Sequence, residues 1–122
     1  MDFLILYIAE GEMFDTELIR ELFYGVLEIT EIEESLDDGS YIKGRYSKKD
    51  NSTIVELKDD LESIALSGIG ISAIELAYNM QKYYKKRLRV IDSDYNFDLV
   101  IKDFDSFKEF QDAIEESIDN IN

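Results

Sequence analysis

Glu56 and Lys58 stand two residues apart in Thr53–Lys58, a run that reads as a strand, so both side chains share one face. With Asp50 upstream, they form the residue set of a Mg²⁺-dependent nuclease core, where carboxylates hold the metal and a lysine orients the attacking water. Two features weigh against this chemistry. A chain that is 34% charged produces such a tripeptide freely, and a net charge of −15 repels a nucleic-acid substrate unless a basic channel is built in. Asp92, Asp94, Asn96 and Asp98 place an oxygen ligand at alternate positions, as a calcium loop does, with Asp103 at the twelfth place. Phe97 occupies the sixth place, where the sharp turn requires glycine, so the segment reads as a polar hairpin turn. Gly68-Ile69-Gly70 precedes a helix and could cradle phosphate, but the third glycine and the lysine of a phosphate loop are missing. Paired carboxylates for glycoside hydrolysis exist in number among 28 acids, yet without Trp or His there is no evident sugar platform.

What the chain lacks narrows the field further. With no His and no Cys, the usual zinc, copper, haem and iron–sulfur ligands are missing, as are Ser–His and thiol nucleophile systems. Carboxylate, Lys, Tyr or Ser chemistry remains, with Mg²⁺ or Ca²⁺ as the metals that would suit it. The expectation is that the chain is no enzyme and needs no cofactor or metal.

Charge is arranged in blocks. Residues 1–40 hold twelve acids and one base, Arg20, for a sum of −11; residues 41–90 hold ten bases and six acids; residues 91–122 hold ten acids and two bases. Two negative blocks flank a basic middle, a pattern suited to steering a basic partner onto the surface. The same acidity could serve solubility alone. The basic run Lys82–Arg89 reads as charges at a helix C-terminus that neutralise the acidic flanks. Eight Tyr exceed what a core needs, and Tyr supplies rigid area with a polar tip at interfaces.

The elements that position these residues follow from periodicity. Phe3–Ala9 is continuously apolar, which predicts a central strand covered on both faces and is too short for a membrane span. A helix is expected over Thr16–Leu27, capped by Asp15, with Leu18, Ile19, Leu22, Phe23 and Val26 as its stripe. Ile29–Leu36, broken by Glu28, Glu31, Glu33 and Glu34, reads as an exposed strand or a loop, and Asp37–Ser40 as a turn. Tyr41–Ser47 and Thr53–Lys58 form a hairpin, and Leu61–Leu66 a further strand. Ser72 with Glu75 forms a capping box that starts a helix near Ala73, with Ala73, Leu76, Ala77, Met80 and Tyr84 inward. Leu88–Asp92 and Phe97–Lys102 form a second hairpin, and Ser106 with Glu109 caps a last helix along Phe107, Phe110, Ala113, Ile114 and Ile118. The reading is α+β: one domain over 1–122, with a mostly antiparallel sheet and about three helices packed on it.

In size, acidity, strand–helix order and lack of catalytic motifs, the whole chain resembles the immunity proteins of bacterial contact-dependent and related polymorphic toxin systems. Glu31–Asp38 and Val90–Asp105 come nearest that character. The resemblance implies an inhibitor that binds and neutralises a cognate basic toxin, a nuclease for preference, in the cytoplasm of the producing cell. Direct nucleic-acid binding and membrane association are not expected. The contacts this reading assigns are Glu33, Glu34, Asp37 and Asp38 before and within the first turn, and Asp92, Asp94, Tyr95 and Asp98 on the second hairpin. Two alternatives stay open: a Mg²⁺-dependent carboxylate enzyme on Asp50, Glu56 and Lys58, and a phage nucleic-acid mimic whose carboxylates imitate phosphates.

Overall fold

Residues 3–34 and 37–119 are described by a computed structural model of the chain. Seven strands form one sheet in the order β2-β3-β4-β5-β1-β6-β7. They are β1 (Phe3–Tyr7), β2 (Thr30–Glu34), β3 (Ser40–Lys48), β4 (Asn51–Lys58), β5 (Ile64–Ser67), β6 (Arg89–Asp92) and β7 (Asp98–Val100). Every neighbouring pair is antiparallel. The helices are α1 (Thr16–Gly25), α2 (Ile71–Tyr83) and α3 (Phe107–Asp119), which makes the fold α+β as the sequence pattern implies. β2 to β5 form a continuous meander. The α1 segment carries the chain from central β1 to edge β2, and the α2 segment carries it from β5 past β1 to β6.

β1 is central, but its two faces differ. Leu4 and Leu6 are fully buried, while Phe3, Ile5 and Tyr7 are half-buried. The continuous apolar run therefore does not mark a strand covered by helices on both sides. Leu4 and Leu6 meet the helices together with Ile42, Val55, Leu57, Ile64, Leu66 and Val90, and no described helix covers the other face of the sheet. On the covered side Ile19, Leu22 and Phe23 of α1, Leu76, Ala77 and Met80 of α2, and Phe110 and Ile114 of α3 complete the core. Each large side chain buried this way contributes about 1.5–3 kcal/mol.

Helix ends follow local chemistry in two cases and long-range chemistry in the third. The Asp15 carboxylate accepts from the amides of Glu17 at 3.0 Å and Leu18 at 3.2 Å, capping α1 as expected. That helix stops at Gly25, so Val26 leaves the stripe and is exposed. Ser106 Oγ accepts from the Glu109 amide at 3.2 Å, and Glu109 reaches back to the Asp105 amide at 3.0 Å. The capping box expected at Ser72 and Glu75 does not form. Gly70 is the cap position of α2 and Asn51, from the start of β4, supplies the acceptor: its Oδ1 takes the Ser72 amide at 3.0 Å and the Ser72 hydroxyl. A Cβ at Gly70 would sit 3.0 Å from the Asn51 amide, so glycine makes room for the cap. Glu75 points elsewhere and binds the Tyr46 hydroxyl and Lys48. Burial, then the Glu75 carboxylate, push the Tyr46 phenol well above its ordinary pKa.

The second hairpin is shorter than its pattern implies. β7 ends at Val100, and Ile101–Asp103 turn into a 3₁₀ segment that tucks Ile101 into the core. Ile29–Leu36 resolves into strand β2 over Thr30–Glu34, with a register irregularity between Thr30 and Glu33; Ser35 and Leu36 lie outside the described residues.

Candidate protein-binding surface

The two acidic groups singled out from the sequence sit at opposite edges of the sheet. Glu33 and Glu34 lie on edge strand β2, and Asp98 on edge strand β7. Six strand spacings separate these edges, about 29 Å. One small partner surface does not span both groups flatly, so they act as separate patches.

Several of these residues are already engaged. Glu34 takes Arg20 Nε at 2.9 Å and the Tyr24 hydroxyl at 2.6 Å, pinning α1 to β2. Asp38 accepts from Lys43 Nζ at 3.1 Å and from the Ser40 amide, and the lysine beside it holds its carboxyl below the usual range. Asp98 forms a two-pronged pair with Arg89, at 3.1 and 2.9 Å, and accepts the Tyr7 hydroxyl at 3.0 Å. The Arg89 guanidinium holds the Asp98 carboxyl below its ordinary pKa, while burial and then Asp98 push the Tyr7 phenol up.

Asp92 is a correction. It is 5% exposed, and its oxygens accept from the Asn96 amide at 2.6 Å and the Asn96 side chain at 2.7 Å. It braces the hairpin turn and offers nothing to a partner. Glu33, Asp37, Asp94 and Tyr95 remain exposed, with Tyr95 at 77% and in the left-handed region, φ 58°.

A denser acidic surface includes Asp37 and Asp38 but consists mostly of residues that the sequence did not single out. Three connections meet at the end of the sheet where β1 finishes: β1–α1, β2–β3 and β4–β5. Backbone hydrogen bonds stitch them together, Phe14 N to Leu61 O at 2.7 Å and Asp59 N to Gly39 O at 3.0 Å. Besides Asp15, which caps α1, the stitched loops carry Glu10 and Glu12, Asp37 and Asp38, and Asp59, Asp60 and Glu62. Gly11 and Gly39 adopt the positive φ these tight turns need, and Asp60 Oδ1 fixes the last loop by accepting the Glu62 amide at 2.9 Å.

Among the described residues, ion pairs reach two of these seven carboxylates: Lys86 to Glu12 at 3.5 Å and Lys43 to Asp38 at 3.1 Å. Met13, 60% exposed, lies in the β1–α1 loop of the same surface. Lys85, Lys86 and Arg87 border it on the side of β6, giving the end of the molecule an acidic field with a basic margin. The sequence signal was there in the three turn-borne acidic runs, but they are dispersed over 53 residues, from 10 to 62, and only strand order unites them.

The catalytic alternative does not assemble. Glu56 and Lys58 do share the open face of β4, with Nζ 3.5 Å from Oε1, and Ser40 donates to Glu56. Asp50, however, lies in the two-residue turn between β3 and β4, at the far end of the strand, about 20 Å away along the backbone. Among the described residues no three acidic side chains converge to hold a metal ion. The glycine loop before α2 is filled by Asn51, which leaves no cradle for phosphate. No described helix is long and apolar enough to cross a membrane. In comparisons with known proteins, no family model, no curated protein and no solved structure matches this chain.

Proposed function

We propose that this chain is an acidic inhibitor of the immunity type, which binds a basic toxin domain, a nuclease for preference, and neutralises it. One observation carries the reading: three loops tied by backbone hydrogen bonds hold seven acidic side chains besides the helix cap Asp15, one loop exposes Met13, and ion pairs among the described residues reach only two of the seven. Holding so many like charges on short, fixed turns costs stability through mutual repulsion, and a basic partner relieves that cost. A nuclease surface suits the field, because contact with phosphates demands clustered Lys and Arg. Met13 and the half-buried Glu62 give such a complex an anchor beside its charged rim.

The test is growth rescue and complex formation. Co-expression with the toxic domain encoded beside this chain's gene restores growth, and the purified pair elutes as one species. Asp59→Lys, Asp60→Lys and Glu62→Lys together abolish rescue while leaving the circular-dichroism spectrum unchanged. Full rescue by that triple variant refutes the surface assignment. Failure of the unaltered chain to bind or protect refutes the function.

A further inference from the structure

We propose that the uncovered face of the sheet is a dimer surface, on which a second copy of this chain packs sheet against sheet. All three helices lie on the other side, so no described helix covers this face. Its centre is apolar and in register: half-buried Ile5 on β1 stands directly opposite half-buried Ala65 on β5 and opposite Ile91 on β6, which is only 8% exposed. Phe3, Ile54 and Val100 extend this centre along and across the strands.

The charges around it are matched but for Glu33, which stands exposed opposite Lys43. Lys43, Arg45, Lys58 and Arg89 point to this face, and each has a carboxylate within 3.5 Å: Asp38, Glu31, Glu56 and Asp98 respectively. An apolar centre within a ring of internally paired charge is the anatomy of a protein interface.

Charge also selects the occupant. The whole chain carries −15, so two copies meeting through any acidic surface set like charges against each other. With Glu33 as its one unpaired carboxylate among the described residues, this face sets the least like charge against a second copy and offers only a weak field to a basic protein beside the acidic loops. Its footprint, roughly 29 Å across seven strands by about 17 Å along them, gives about 1,000 Å² between two copies, the lower bound for a specific interface. The dimer is therefore weak, and two-fold symmetry makes it self-complementary. Stacked sheets of this kind lie about 10 Å apart with their strands within about 30° of alignment.

Salt separates this association from partner binding. Screening weakens residual repulsion between two acidic copies and so strengthens the dimer, whereas it weakens attraction to a basic partner. The test is sedimentation equilibrium from about 5 μM to about 1 mM, at low and high salt. The mass is expected to rise from 14.2 kDa toward twice that value with concentration, and further at high salt. Ile5→Lys and, separately, Ala65→Lys are expected to hold the mass at 14.2 kDa while keeping the wild-type circular-dichroism spectrum.

A readout without substitution covers the case where either variant misfolds. Concentration-dependent amide shifts in the wild-type NMR spectrum are expected on β1, β5 and β6. A mass of 14.2 kDa under every condition overturns the proposal. So does a dimer that survives in a folded variant, shifts confined to the helices, or protection of β1, β5 and β6 by the basic partner instead of a second copy. None of these results bears on whether the acidic loops bind that partner.

Discussion

Gly44 on β3 is the position where adding one methyl group tests the packing of the acidic edge strand. A Cβ built there lies 2.4 Å from Ile29 Cγ2 and 3.2 Å from the Thr30 carbonyl oxygen. Carbon atoms settle at about 3.5–4.0 Å, so Ile29 must retreat by more than about 1 Å. Ile29 is 7% exposed and the Thr30 backbone blocks the other direction, so the retreat has little room. Overpacking of this kind costs about 1–3 kcal/mol. Gly44→Ala should therefore lower stability by that amount, with β2 and its Glu31, Glu33 and Glu34 shifting away from β3.

Ile29→Ala deletes the opposing methyl at its own cost of about 2–5 kcal/mol. In the double variant the clash is gone. The cycle should then show a favourable coupling of about 1–3 kcal/mol, far outside the additivity expected of independent sites. Chemical denaturation of the four proteins measures it. Costs that add within about 0.5 kcal/mol, or a neutral Gly44→Ala, would refute the reasoning.

Three other outcomes follow from the same geometry. Asn51→Ala removes the cap of α2 and should cost about 1 kcal/mol, with faster amide exchange in the first turn of that helix, whereas Glu75→Gln leaves that exchange unchanged. Asp98 has its folded pKa depressed by Arg89, so its contribution to stability is complete above about pH 4 and is lost as pH falls through the folded value. Thermal melts between about pH 2 and 7 should show Asp98→Asn flattening part of that acid loss. Tyr46 has its folded pKa raised, so its contribution is complete below about pH 10 and is lost at higher pH; Tyr46→Phe should blunt the alkaline fall in melting temperature.

Local signals were read well where local chemistry governs. Asp15 and Ser106 cap the helices they precede, and alternation located the long β3–β4 hairpin within a residue or two. The misread elements are those set by distant neighbours. Ser72 and Glu75 have the spacing of a capping box, but Asn51, 21 residues earlier, fills the role, and Glu75 is drawn to Tyr46 and Lys48. Gly44 gave a signal that was passed over: a glycine inside a strand marks a close approach, and β2 is what approaches.

The surface was legible as charge and illegible as geometry. Asp37 and Asp38 belong to the acidic loops, and the β2–β5 meander sets Asp59, Asp60 and Glu62 beside them, but Glu10 and Glu12 join only because β1 inserts between β5 and β6 in an order that no periodicity reveals. Asp92 shows the converse: its spacing with Asp94 and Asp98 looks like a ligand set, while its carboxylate is consumed by the turn it sits in.

The proposed steering of a basic toxin domain by the stitched acidic loops is open to direct measurement. The direct measurement is the association rate with that purified domain at about 50 and 500 mM salt, for the wild type, the Asp59→Lys/Asp60→Lys/Glu62→Lys variant, and Asp94→Lys at the opposite end of the sheet. The triple variant moves the net charge from −15 to −9. That variant is expected to slow association at least about tenfold at low salt, with the difference shrinking to about twofold or less at high salt and Asp94→Lys having the smaller effect. Equal rates for the wild type and the triple variant at both salts would contradict the proposed steering.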